Sequence, residues 1–135
     1  MNLPKTAHIV ITGGGVMGAS TAYHLALRGE KNIVVVEKEQ FFGQGATGRC
    51  AGGVRYQFAT EVNIRLSQAS LPMLAHLHEE TGGASDYRPC GYLFLLTRPE
   101  DLPTFQRSMA LQRRLGVPTE WLTGDELRRR LAVDG

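Results

Sequence analysis

The hydrophobic positions of the first forty residues change their period twice. A short β-branched run lies within Ala7–Thr12 and ends at glycine, which predicts a strand buried on both faces. From Val16 to Arg28, small and apolar residues recur at helical spacing, and Gly29 stands where a helix would end. Ile33–Val36 is again β-branched. The pattern predicts strand, helix and strand, in that order.

A glycine-rich segment and a long helix are predicted next. Lys38–Ala59 has no periodic pattern, and loops of that length are uncommon in compact domains unless they bind something. After Thr60 apolar residues return at spacings of three and four, up to the pair Gly82 and Gly83. Pro72 is expected to kink this helix near Gln68 or to split it.

The last third of the chain predicts two strands and two helices. Gly91–Thr97 is continuously apolar and aromatic, and Thr119–Leu122 is a shorter strand candidate. Pro99–Leu115 between them has the period of a helix. Thr123 stands three residues before Glu126, the spacing of a capping box that begins a last helix. The inward face of the first of these helices is predicted to carry Leu102, Phe105 and Met109.

Composition and charge indicate an ordinary globular protein. Hydrophobic residues make up 42% of the 135 positions, charged residues 21%, and the net charge is +2. The arginine clusters at 113–114 and 128–130 fall on predicted helices, where solvated faces are favoured over a nucleic-acid site. We therefore predict no nucleic-acid partner.

The sequence lacks the signals of a secreted, membrane-spanning or metal-binding protein. No secretory signal and no apolar run long enough for a membrane span are seen, so a cytoplasmic location follows by default. Cys50 and Cys90 are therefore interpreted as free thiols, the first partly buried. His76 and His78 would point to different faces of a helix, and no metal site is predicted.

The turn after the first predicted strand carries the motif Gly13-x-Gly15-x-x-Gly18. Such glycines allow a tight turn, the approach of a pyrophosphate and close packing of helix on strand. The phosphates would meet the N–H groups at the helix start. Glu37 ends the second strand, where a carboxylate can accept hydrogen bonds from ribose hydroxyls. Together these features predict a dinucleotide-binding site, but they do not distinguish NAD from FAD.

A second glycine-rich stretch, residues 45–55, reads Gly-Ala-Thr-Gly-Arg-Cys-Ala-Gly-Gly-Val-Arg. With the first motif it resembles the D-amino-acid oxidase superfamily, which includes glycine oxidase and the sarcosine oxidase β subunits. The resemblance implies FAD as cofactor and an α/β fold. Residues 1–59 would be the N-terminal part of a Rossmann-type βαβ FAD-binding domain. Residues 60–135 would begin an α+β substrate domain, so the fold is expected to be incomplete.

The resemblance also implies which residues contact FAD, from the pyrophosphate through the ribose and adenine to the flavin ring. These are Gly13, Gly15, Val16, Met17, Gly18, Glu37, Lys38, Gly45, Ala46, Thr47, Arg49, Cys50, Ala51, Gly52 and Gly53. A salt bridge is the alternative role for Arg49. For Arg55 a substrate carboxylate, a structural pairing and solvent all stay open.

The function implied is hydride transfer to flavin from the carbon beside the nitrogen of an amino acid or secondary amine. Catalytic residues would lie beyond residue 135, so the isolated chain is expected to be inactive and to hold FAD weakly. A homo-oligomer, a missing C-terminal portion or a partner subunit is expected. Two alternatives remain: the Rossmann domain of an NAD-dependent dehydrogenase, and a non-catalytic nucleotide-binding subunit or remnant.

Overall fold

The computed structural model describes residues 4–83 and 85–131. The chain divides into two compact units, one ending at Gly53 and the other beginning at Val54. Within the described ranges, no helix is both long and apolar enough to cross a membrane. Each unit is described by itself below.

The first unit is a strand–helix–strand followed by a glycine-rich segment. Strand β1 (Ile9–Thr12) pairs in parallel with β2 (Ile33–Val36), and the register places Ile9 opposite Ile33. Helix α1 (Val16–Leu27) forms the crossover between them. The three predicted elements are confirmed. The predicted burial of the first strand on both faces is wrong, because its residues alternate and Val10 is 60% exposed.

A glycine determines where α1 ends. Gly29 has φ of +92°, a left-handed conformation that glycine adopts without strain. Its N–H donates to the carbonyl of Ala26, and the N–H of Glu30 donates to that of Leu25. This pair of bonds is a Schellman motif, so the predicted glycine stop is confirmed.

The glycine-rich segment is not without regular structure, contrary to the sequence prediction. A single helical turn, α2, spans Ala46–Arg49. Thr47 and Gly48 at its centre are poor helix formers, and the sequence carries no apolar period there that could predict the turn.

The second unit contains three helices. Helix α3 spans Glu61–Thr81 without interruption, so the predicted split at Pro72 is wrong. Proline removes one backbone donor, and the buried residues Ile64 and Leu71 hold the helix by packing on its N-terminal half. Its end at Gly82, with φ of +68°, agrees with the prediction.

Helices α4 (Leu102–Arg114) and α5 (Gly124–Leu131) complete the unit. A 3-10 turn over Pro99–Asp101 precedes α4, and Phe105 is half-buried on this helix, as predicted. Two glutamine side chains, one on α3 and one on α4, bond to the chain at the end of the other helix. Gln68 donates to the Leu115 carbonyl at 2.7 Å, and the buried Gln112 donates to the Phe58 carbonyl at 3.0 Å.

The capping box before α5 is confirmed. The Thr123 N–H donates to Glu126 Oε2 at 2.8 Å, and the Glu126 N–H donates to Thr123 Oγ1 at 3.3 Å. Both strands predicted for the second unit are wrong. Gly91–Thr97 and Thr119–Leu122 join no sheet, because the described chain supplies no strand beside them, and strand pairing needs a partner.

Candidate functional site

The turn between β1 and α1 is fixed by backbone bonds and one carboxylate. Gly13 has φ of +103°, and its N–H donates to the Val36 carbonyl at 2.7 Å. The N–H of Gly14 donates to Glu37 Oε2 at 2.7 Å. The two strand ends are therefore joined directly at the turn, where the sequence places the dinucleotide motif.

Glu37 is held in its ionised form. Backbone N–H groups of Glu39 and then of Gly14 lower the pKa of the Glu37 carboxyl, since both donate to the charged group. The side chain is half-buried. Each carboxylate oxygen can accept a further bond, so the carboxylate retains capacity for a hydroxyl.

Gly18 brings α1 against the turn. Its Cα is buried, and a Cβ added there would clash with the carbonyl oxygen of Gly13. The N-cap residue of α1, Gly15, has no side chain with which to cap the helix. Among the described residues, no acceptor meets the N–H groups of Gly15, Met17 and Gly18. Unpaired donors at a helix start form a site for an anion.

The second glycine-rich stretch contacts this helix start. Thr47 Oγ1 accepts a hydrogen bond from the Val16 N–H at 2.9 Å, across 31 residues of sequence. Two residues before that stretch, the N–H of Gly43 donates to the Gly14 carbonyl at 3.0 Å. The structure therefore brings together parts of both stretches that the sequence analysis assigned to one ligand.

Phe42 is a member of this site that sequence reasoning missed. Its ring lies against Gly14, where a Cβ would clash with it, and yet 67% of the side chain is exposed. The available signal was two adjacent phenylalanines in a segment otherwise rich in glycine and polar residues. An exposed aromatic ring beside the turn adds an apolar wall to the site.

The remaining predicted site residues lie on the surface of the first unit. Arg49 ends α2, is exposed, and has no ion-pair partner among the described residues, so its salt-bridge alternative finds no support there. Lys38 lies 3.5 Å from Glu39 in an exposed ion pair. The other exposed positions are Gly45, Ala46, Cys50, Ala51, Gly52 and Gly53.

The prediction of a free Cys50 thiol is confirmed, but the prediction that it is partly buried is wrong. The thiol of Cys50, the residue after α2, is exposed and donates to the Thr47 carbonyl at 3.0 Å.

Arg55 belongs to the second unit, and its surroundings support the structural alternative. Its guanidinium lies 4.8 to 5.2 Å from the ring centres of Phe58, Tyr92 and Phe94. Its Nη1 donates to the Tyr92 hydroxyl at 3.3 Å. Within the described residues, the buried Nε has no hydrogen-bond partner. Cation–π contacts with these three rings therefore hold the side chain in this position.

Comparison with known proteins gives a family match over nearly the whole chain. The family model described as "DAO: FAD dependent oxidoreductase" matches residues 8–134. This match includes both glycine-rich stretches.

Two curated relatives and one solved structure illustrate the similarity. FAD-dependent oxidoreductase domain-containing protein 1 of Xenopus laevis is 34% identical over 137 aligned positions, covering 94% of this chain and 27% of the relative. Human mitochondrial sarcosine dehydrogenase is 32% identical, and the alignment covers 93% of this chain and 14% of that relative. The solved structure of the L-amino acid deaminase from Proteus vulgaris superposes with a TM-score of 0.68 at 24% identity. The superposition covers 97% of this chain and 31% of the deaminase, and it supports the fold. The chain spans about a quarter of the length of the Xenopus relative.

Proposed function

The chain belongs to the DAO family of FAD-dependent oxidoreductases, and we propose that its first unit binds the ADP half of FAD in an amine- or amino-acid-oxidising enzyme. FAD is the cofactor of this family, which decides against the nicotinamide alternative. The observation that carries the proposal is the helix start with unpaired N–H groups, backed by the second glycine-rich stretch.

The pyrophosphate is assigned to the start of α1. The N–H groups of Gly15, Met17 and Gly18 lack acceptors in the described chain, and the positive end of the helix dipole favours an anion there. Arg49 is an exposed cation in the second stretch and supplies a counter-charge. Its guanidinium matches phosphate oxygens in shape and charge.

The adenosine ribose is assigned to Glu37. Its carboxylate is ionised, fixed by two N–H groups, and still able to accept from a hydroxyl. Lys38 would lie beside the adenine, and residues 50–53 would approach the flavin ring. The exposed backbone of Gly52 and Gly53 allows a flat ring close access.

The reaction proposed for the whole protein is oxidation of a C–N bond. Bound FAD would supply the hydride acceptor, while the residues of this chain bind and orient it. The human relative named sarcosine dehydrogenase supports a secondary amine or amino acid as substrate. That relative is named as a mitochondrial protein, whereas the cytoplasmic location of this chain stays a prediction.

Titration with FAD tests the cofactor site of the isolated chain. We expect saturable quenching of flavin fluorescence and competition by ADP, because the residues that we assign to the cofactor in the first unit would mostly contact its ADP half. We expect little flavin absorbance after gel filtration, because the chain spans about a quarter of the Xenopus relative. Absence of saturable binding, or tighter binding of NAD than of FAD, would contradict the assignment. Turnover of sarcosine by an FAD-loaded longer protein separates the enzyme from a non-catalytic binding subunit.

Thr47→Val tests the contact between the two glycine-rich stretches. Valine keeps the shape but leaves the Val16 N–H without its acceptor, so we expect a loss of about 1 kcal/mol in unfolding free energy. FAD affinity should fall by roughly three- to tenfold, because the second stretch is held less firmly.

Thr47→Ser is the matched control, because serine keeps the hydroxyl. It should preserve most of the FAD affinity. Loss of affinity in Thr47→Ser with affinity retained in Thr47→Val would show that the methyl group, and not the hydrogen bond, carries the effect of Thr47.

A further inference from the structure

The turn between β1 and α1 consists of three successive glycines, residues 13–15, which have no side chains to hold their own peptide planes. Glycine loses more conformational freedom on folding than any other residue, so the turn needs restraints from elsewhere in the chain. Two such restraints act on Gly14. Its N–H donates to Glu37 Oε2 at 2.7 Å, and its carbonyl accepts from the Gly43 N–H at 3.0 Å.

The bond from Gly43 determines where a neighbouring donor points. The peptide that joins Gly14 to Gly15 is trans, so its C=O and its N–H project in opposite directions. Because the Gly14 carbonyl points to Gly43, the Gly15 N–H points away from it. This N–H has no acceptor among the described residues. The Gly43 bond therefore directs a free donor at the helix start, where we assign the pyrophosphate.

The side chain of Phe42 anchors the segment that carries the Gly43 N–H. Gly43 has φ of +80° and no side chain with which to anchor itself. The Phe42 ring lies on the Cα of Gly14, and the three atoms nearest to a Cβ built there all belong to this ring. The ring fills the space that a side chain at position 14 would take. This contact holds the next residue, Gly43, at hydrogen-bonding distance from the Gly14 carbonyl.

The exposure of Phe42 shows that burial in an apolar core does not explain its position. The side chain is 67% exposed, and that of its neighbour Phe41 is 62% exposed. A phenylalanine side chain stabilises a fold mainly through the apolar area that it removes from water, and little is removed here. What distinguishes Phe42 from Phe41 is the contact with Gly14.

We propose that Phe42 is a positioning residue for FAD, which anchors Gly43 on the turn and so keeps the Gly15 N–H directed at the pyrophosphate. This inference rests on the proposed function, because it takes the start of α1 as the pyrophosphate site. A ligand that meets donors already in place loses less free energy to ordering them. Loss of the ring should therefore weaken the binding of FAD and of ADP alike, because both carry the pyrophosphate.

Titration of the full 135-residue chain with FAD and with ADP tests this role. Phe42→Ala is expected to weaken the binding of both ligands about tenfold, whereas Phe42→Tyr keeps the ring and should bind within about twofold of wild type. Phe41→Ala is the matched control, because it removes a similarly exposed ring and keeps the Phe41 N–H that donates to Gln44. Its affinity should also stay within about twofold. Equal losses in Phe41→Ala and Phe42→Ala, or in Phe42→Tyr and Phe42→Ala, would overturn the proposal.

Amide hydrogen exchange of the chain without FAD tests the anchoring separately. The N–H groups of Gly14 and Gly43 are both bonded in the turn. We expect both to exchange at least about fivefold faster in Phe42→Ala than in wild type, and at the wild-type rate in Phe41→Ala. Unchanged exchange in Phe42→Ala would overturn the role of the ring. A wild-type chain that protects both amides but binds neither FAD nor ADP would overturn the proposed function instead.

A double variant tests the contact itself. Gly14 does not have a left-handed φ, so its backbone accepts alanine, and the Phe42 ring is what an added Cβ would meet. Gly14→Ala is expected to weaken FAD binding about tenfold in the wild-type chain, but less than about twofold in the Phe42→Ala background. The same loss in both backgrounds would show that the ring does not restrain Gly14, and the proposal would fail.

Discussion

Gly18→Ala is expected to unfold the first unit at temperatures where the wild-type chain is folded. The added Cβ would clash with the carbonyl oxygen of Gly13, a backbone atom that the bond from Gly13 N–H to Val36 holds in place. Alanine is the better helix former, so propensity alone predicts a small gain. We expect a net loss of about 3 kcal/mol in unfolding free energy, because neither backbone can move without breaking the turn.

Urea unfolding followed by circular dichroism measures this loss, and FAD titration should show that binding is abolished with it. Ser20→Ala is the control, since Ser20 is exposed on the same helix and its replacement should change stability by less than about 0.5 kcal/mol. A stable Gly18→Ala variant with unchanged FAD affinity would show that close packing of α1 on the turn is not required.

Glu37→Gln is expected to weaken FAD binding on the order of ten- to a hundredfold. Both carboxylate oxygens accept backbone N–H bonds, from Gly14 at 2.7 Å and from Glu39 at 3.0 Å. An amide presents an NH₂ group to one of these donors, so one bond becomes a repulsion and the turn loosens. Glu39→Gln is the matched control, because the Glu39 side chain contacts Lys38 and leaves the turn unchanged.

The contribution of Glu37 to stability should depend on pH in a defined direction. Its pKa is lowered by the N–H groups of Glu39 and Gly14, so the contribution is fully present above the ordinary carboxyl range. It is lost as the pH falls through the lowered pKa. The difference in melting temperature between wild type and Glu37→Gln should therefore be constant from about pH 7 to 5 and shrink below about pH 4. A difference that grows on acidification would contradict the ionised state.

Local patterns predicted the elements of the first unit because their causes are local. A β-branched run, a helical period and a glycine at the helix end specify β1, α1 and the stop at Gly29 within a few residues. The glycine motif likewise predicted the tight turn at Gly13 and the close approach at Gly18. The capping box of Thr123 and Glu126 is another local signal that the structure confirms.

Contacts between distant residues could not be predicted from those patterns. The Thr47 hydroxyl reaches Val16 across 31 residues, and the Phe42 ring lies on Gly14 across 28, with no period connecting either pair. The two strands predicted in the second unit failed for a related reason. Apolar, aromatic composition favours a strand at residues 91–97, but a strand exists only where a neighbour provides its hydrogen bonds.

The bond between Gly14 and Glu37 also has a consequence for the order of events during synthesis. All the pairing of β1 with β2 lies between Ile9 and Val36, with α1 as the only connection, so the contacts are short in sequence. A ribosome releases this stretch before any residue of the second unit, and domains fold from the N-terminus as they emerge. Glu37 follows directly on the second strand, and its carboxylate can close the turn as soon as that strand has docked. The turn to which we assign the nucleotide can therefore form on the nascent chain before the remainder of the protein exists.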